Sequence, residues 1–197
     1  MHKALNVLRG EHRSIGAVLH ALQSLAKTAA DPAVRPEFEV FRALIYYIDA
    51  FPERLHHPKE DHYLFARLAA RSPQARALID SLRAEHARGA QMVRELEGAL
   101  LRFEADWPKG GEAFLAAVEA YAAFNWEHIR KEEDLILPLA EKSLTAEDWE
   151  VIEDAFAGNR DPISDLREQD FEKLLARIVA LAPAPVGVGE RWKPAAS

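Results

Sequence analysis

The chain has 197 residues, 49% of them hydrophobic and 29% charged, a formal net charge of −7 and no cysteine. That balance provides for one globular core, and the missing thiols exclude disulfides, thiolate zinc sites, iron–sulfur clusters and a cysteine nucleophile, so any transition metal must be held by nitrogen and oxygen. Lys and Arg are interleaved with Asp and Glu, which argues against nucleic acid and membrane as partners; with neither a signal-peptide layout nor the ~18 uninterrupted apolar residues of a membrane span, a cytoplasmic protein is expected.

Helical periodicity dominates. Leu5, Leu8, Ile15, Leu19 and Leu22 form one face of a first helix, and His12 occupies the place that face needs between Leu8 and Ile15. "KTAADPAVRP" ends this helix, Pro36 suits the first turn of the next, and the second inner face reads Phe41, Ile45, Ile48 and then His56. A third helix is expected after Ser72, with Pro73 in its first turn and Leu82, His86, Gly89, Val93, Leu96, Leu100 and Phe103 along its inner face. After the breaker "ADWPKGG", a fourth carries Phe114, Tyr121, His128, Leu135 and Leu139 in the same kind of stripe. The fold class that follows is all-α: an up-down-up-down four-helix bundle over residues 1–142, with two additional C-terminal helices. These occupy residues 143–182, capped by Thr145 and Ser164 and packed on the bundle, and a Pro/Gly-rich tail covers 183–197.

An internal repeat organises the bundle. "LRGEH", ending at His12, recurs as "LRAEH", ending at His86; "HHPKEDHYLF" from His56 recurs at a similar offset as "HIRKEEDLIL" from His128. Two similar helical hairpins related by a pseudo-twofold axis would present equivalent residues to anything held between them.

The repeat aligns His56 with His128 and Glu60 with Glu132, each an i,i+4 pair that raises an imidazole and a carboxylate from one helix face. With His12 and His86, the interior receives four histidines and two glutamates. Six nitrogen and oxygen ligands, two of them carboxylates able to bridge, suit a pair of iron or manganese ions. Without metal the same groups would cost several kcal/mol per buried charge. A lone histidine–carboxylate pair on a helix is usually a surface pair; two matched pairs on inner faces point to a metal site.

His57 with Asp61 makes a rival i,i+4 pair, but its repeat counterparts are Ile129 and Glu133, so His56 with Glu60 is preferred and His57 is expected at the rim. His62 falls on the solvent side, and His2 and His20 have no counterpart in the repeat. Glu11, Glu85 and Glu127 each precede a candidate ligand and are expected in solvent, the alternative being that they orient the neighbouring site. Gly16 and Ala90 leave room one turn beyond His12 and His86, for a diatomic ligand or for close helix packing. Pro52 and Pro58 free the carbonyls of Ile48 and Arg54, so a kink is expected there, with a freed carbonyl accepting the second ring nitrogen of His56.

With His in the first and third helices and HxxxE in the second and fourth, the chain resembles the hemerythrin-like, or HHE cation-binding, family over roughly residues 1–142; the motifs "HHPKED" and "HIRKEED" carry the resemblance. The resemblance implies an oxo- or hydroxo-bridged pair of non-heme iron ions, with manganese or zinc as substitutes. Carried over, the ligands are His12, His56, Glu60, His86, His128 and Glu132, the glutamates bridging. Oxygen-carrying hemerythrins have a further histidine where this chain has Leu82, and an aspartate at the position of Glu133. The larger carboxylate share resembles bacterial members with proposed roles in oxygen, nitric oxide or iron sensing and stress defence. A di-iron protein that binds or senses a diatomic gas or oxidant is the resulting expectation, with a di-iron peroxidase, oxidase or nitric oxide reductase, or an iron reservoir, as the alternatives. The protein is expected to be a monomer or homodimer.

Overall fold

A computed structural model describes residues 2–158, 161, 163 and 176–178. Helix α1 (Lys3–Ala29) is followed by a turn in which the Asp31 carboxylate accepts from the amide of Ala33 at 2.9 Å. The second rod is helical throughout but not uniformly wound. It passes from α2 (Phe38–Ile48) through a π-helical stretch, Asp49–His56, into the short α3 (His57–Lys59), a second π stretch, Glu60–Phe65, and α4 (Ala66–Arg71). Its start at Phe38, with Glu37 as N-cap, leaves Pro36 outside the first turn. After a 3₁₀ turn, Pro73–Ala75, comes α5 (Arg76–Asp106); the fourth rod joins α6 (Gly111–Lys131), a third π stretch, Glu132–Ile136, and α7 (Leu137–Ser143).

Prolines account for two of the wide turns. A proline ring excludes the carbonyl four residues back; Pro52 and Pro58 do this to Ile48 and Arg54, at the start of and inside the first π stretch, and Pro138 does it to Asp134 inside the third. The added residue per turn relieves the clash without ending the helix.

α1 and α5 each pack against both α2 and α6. Ring neighbours are therefore chain neighbours, the arrangement of an up-down-up-down bundle. The α5–α6 turn depends on glycine: Gly110 has φ +93°, and a Cβ on Gly111 would lie 3.0 Å from the carbonyl oxygen of Ala29. Helix α8 (Ala146–Ala157) starts at the expected cap, where Thr145 accepts from the amide of Asp148 and donates its own amide to that side chain. The second expected C-terminal helix and the tail lie outside the described residues, apart from 176–178.

The apolar core divides in two. One cluster gathers Leu19, Leu22, Phe41, Ile48, Leu96 and Phe114 with their neighbours; the other holds Leu5, Leu8, Leu68, Ile79, Leu82 and Ile136. Trp149, Ile152 and Phe156 of α8 belong to the second cluster, so this helix completes the core at that end. Burial of each such side chain contributes about 1.5–3 kcal/mol. Between the clusters lies a belt of histidine and carboxylate. Among the described residues, no helix is long and apolar enough to cross a membrane.

Candidate metal centre

All six candidate ligands reach the belt, with a seventh residue. His12 comes from α1, His56 and His57 from the junction of the first π stretch with α3, Glu60 from the start of the second π stretch, His86 from α5, His128 from α6, and Glu132 from the start of the third π stretch. None is more than 7% exposed.

They form two groups with ligand atoms close enough to hold one cation each: His12, His56, Glu60 and Glu132, and His57, Glu60, His86 and His128. Glu60 belongs to both. Its Oε1 lies 3.4 Å from His56 Nε2 and 3.8 Å from His12 Nε2, while its Oε2 lies 3.7 Å from His86 Nε2. Glu132 also spans the groups, with Oε2 3.3 Å from His12 Nε2 and Oε1 3.2 Å from His128 Nε2. Both carboxylates thus face two sets of imidazoles.

The inward atoms have no other employment. His12 Nε2 and both oxygens of Glu60 and of Glu132 are buried and without a hydrogen-bond partner. Leaving such groups unsatisfied is costly, and nitrogen with carboxylate oxygen is the donor set that a divalent transition-metal ion accepts. The residues present fit a pair of such ions.

Electrostatics bind the belt together. Burial disfavours charge on His12, but Glu132, Glu133 and Glu60 raise its pKa well above the ordinary value. His86 is also opposed by burial, yet Asp61, Glu132 and Glu60 carry it to about 10. Glu132 is held well below the usual carboxylate range, against burial, by His128, His12 and His86. His57 is the exception: burial, then the charges of His86, His56 and His128, push it well down.

An outer ring of carboxylates faces the Nδ1 atoms. Glu11 Oε2 lies 2.7 Å from His56 Nδ1 and Glu85 Oε2 3.0 Å from His128 Nδ1; Glu133 Oε1 lies 2.8 Å from His12 Nδ1 and Asp61 Oδ1 3.2 Å from His86 Nδ1. The repeat governs this ring too. Glu11 matches Glu85 and Asp61 matches Glu133, and each of these four serves a histidine on a different rod. Such partners fix the tautomer and aim Nε2.

Several expectations require correction. Glu11 is 3% exposed and Glu85 faces His128, so both orient the site; Glu127 stays exposed, paired with Arg130. His57 is not at the rim: it is 6% exposed and stacked on His86 with ring centroids 4.2 Å apart. His56 does not displace it, because adjacent side chains diverge by about 100° on a helix and there are two groups to serve. The second ring nitrogen of His56 meets Glu11 rather than a freed carbonyl. Gly16 leaves no pocket, since a Cβ there would lie 2.8 Å from the Trp126 ring. Leu135 is 50% exposed, and Ile136 is buried in its stead: the extra residue in the third π stretch moves the inner face on by one. His62 is exposed, as expected, with Nδ1 2.6 Å from the Pro58 carbonyl, while His2 stacks on Trp149.

The model of the hemerythrin HHE cation binding domain matches residues 3–140. No curated protein matches the chain.

Proposed function

Since the chain belongs to the hemerythrin HHE cation-binding domain family, we propose that it holds a pair of metal ions, iron above all, and uses them to bind or sense a small diatomic ligand or oxidant such as oxygen, nitric oxide or peroxide. The observation that carries this reading is Glu60, whose two oxygens face different histidine groups and have no other partner. His12 and His56 would hold one ion, His57, His86 and His128 the other, with Glu60 and Glu132 bridging. Iron, when bound, supplies one-electron redox chemistry and exchangeable coordination positions.

The chain's own residues provide the rest. The outer carboxylates keep the imidazoles aimed inward, and the two apolar clusters keep bulk water from the belt. An ion held by the group with two imidazoles would have fewer nitrogen donors than one held by the group with three, which favours a ligand-binding role over a sealed structural site. Metal analysis of the purified protein, with absorption spectra in the presence and absence of oxygen and of nitric oxide, tests the proposal. Two irons per chain and ligand-dependent charge-transfer bands are expected; fewer than two irons, or spectra indifferent to both gases, would refute it.

A further inference from the structure

The repeat accounts for four of the belt's five histidines and for four carboxylates of the outer ring. It does not account for His57. Its counterpart is Ile129, and the residues around it are equally one-sided. Glu53 Oε2 lies 3.4 Å from His57 Nδ1, with a side chain 4% exposed. The Tyr121 hydroxyl donates to Glu53 Oε1 at 3.4 Å, and Tyr121 is 1% exposed. Gly89 provides the space, because a Cβ there would lie 3.1 Å from Glu53 Oε1. The matching positions for Glu53, Tyr121 and Gly89 are Asn125, Asp49 and Ile15, which reproduce none of this.

The first hairpin thus carries an additional pair, Glu53 and His57, which Tyr121 of the second hairpin braces, and the otherwise twofold site gains an arm on one side. The arm ends at one of the two groups only. Its chemistry is that of a ligand support: a carboxylate facing Nδ1 leaves Nε2 for a metal, strengthens the imidazole as a donor and restricts the ring. His57 Nδ1 is buried and makes no hydrogen bond, so the Glu53 carboxylate 3.4 Å away faces a ring nitrogen that is otherwise unsatisfied.

We propose that Glu53, seated against Gly89 and held by Tyr121, is a positioning residue that makes the two metal positions unequal, so that the group of His57, His86 and His128 fills first and binds its ion more tightly. The group of His12 and His56 fills second and exchanges more readily. The arm thereby sets a loading order that the twofold repeat alone would leave undecided. This inference rests on the two-ion reading above.

Titration of the metal-free 197-residue chain with Co²⁺ alone, followed by calorimetry and visible absorption, tests it. The unaltered chain should take up two ions in two resolved steps. Glu53→Leu should weaken the tighter step by roughly ten- to hundredfold, change the absorption of the first-bound cobalt, and leave the weaker step in place. Glu53→Gln, which keeps an acceptor for His57, should fall between the two. Glu11→Gln, which alters the partner of His56, should weaken the other step. If Glu53→Leu does not fold, as judged by its helical circular dichroism, Gly89→Ala and the isosteric Glu53→Gln decide the matter. Equal weakening of both steps, or none, in the Glu53 variants overturns the proposal. An unaltered chain that binds fewer than two Co²⁺ ions would instead refute the two-ion reading.

Discussion

The Nε2 atoms of His86 and His128 lie 3.1 Å apart, although the two residues come from different rods. A hydrogen bond at that distance requires a proton on one of the two nitrogens. The spacing also suits two nitrogens on one ion, which at metal–nitrogen distances of about 2.0–2.1 Å lie roughly 3 Å apart. Protons and metal therefore compete for the same atoms.

That competition has a direction. Raised imidazole pKa values favour the protonated fold, so their stabilisation of the metal-free chain is complete below the ordinary histidine value of about 6.5. It is lost as pH climbs through about 10, where His86 gives up its proton. Glu53, lifted to about 7 by burial, loses its share earlier, as pH rises from the ordinary carboxylate range to about 7. The melting temperature of the metal-free chain is expected to fall between about pH 6.5 and 10; a rise across that window would contradict the assignment. Metal affinity should increase over the same range.

Glu60 faces both groups, and Glu60→Gln removes the charge that they share. The variant is expected to retain at most one tightly bound metal per chain after dialysis, measured by elemental analysis. Glu127→Gln, on an exposed side chain, should bind metal as the unaltered protein does.

Trp149 is 2% exposed in the core cluster that α8 shares with the bundle. Trp149→Ala should cost about 3–5 kcal/mol in denaturant unfolding. A loss below about 1 kcal/mol would mean that α8 is an ornament rather than part of the core.

Gly16 and Trp126 are in close contact, so Gly16→Ala should destabilise by about 1–3 kcal/mol through overpacking. Adding Trp126→Ala should relieve much of that cost, a coupling that a double-mutant cycle measures. Additive effects would show that the contact is not the cause.

The six candidate ligands are legible in the sequence because helix periodicity and a duplicated motif both place them on inner faces: side chains three or four residues apart share a face whatever the rest of the chain does. The stripe of α5 illustrates this, with Leu82, His86, Val93, Leu96, Leu100 and Phe103 all buried. Leu135 departs from its stripe for the converse reason. A fixed period cannot anticipate a π turn, and one extra residue there exchanges Leu135 for Ile136.

The outer ring is present in the sequence as acidic neighbours of the ligands, but its pairing is not. Glu11 sits beside His12 and serves His56; Asp61 follows Glu60 and serves His86. These are contacts between rods, decided by how four helices are set against one another.

By itself, then, the sequence determined an all-α bundle with nitrogen and carboxylate donors on its inner faces, because local spacing dictates which side chains share a helix face. Only the tertiary structure decided that His56 and His57 both enter the belt, that Glu60 is shared and that Glu53 supports one side alone. Each of these depends on distances between atoms far apart in the chain, which packing fixes and local periodicity does not.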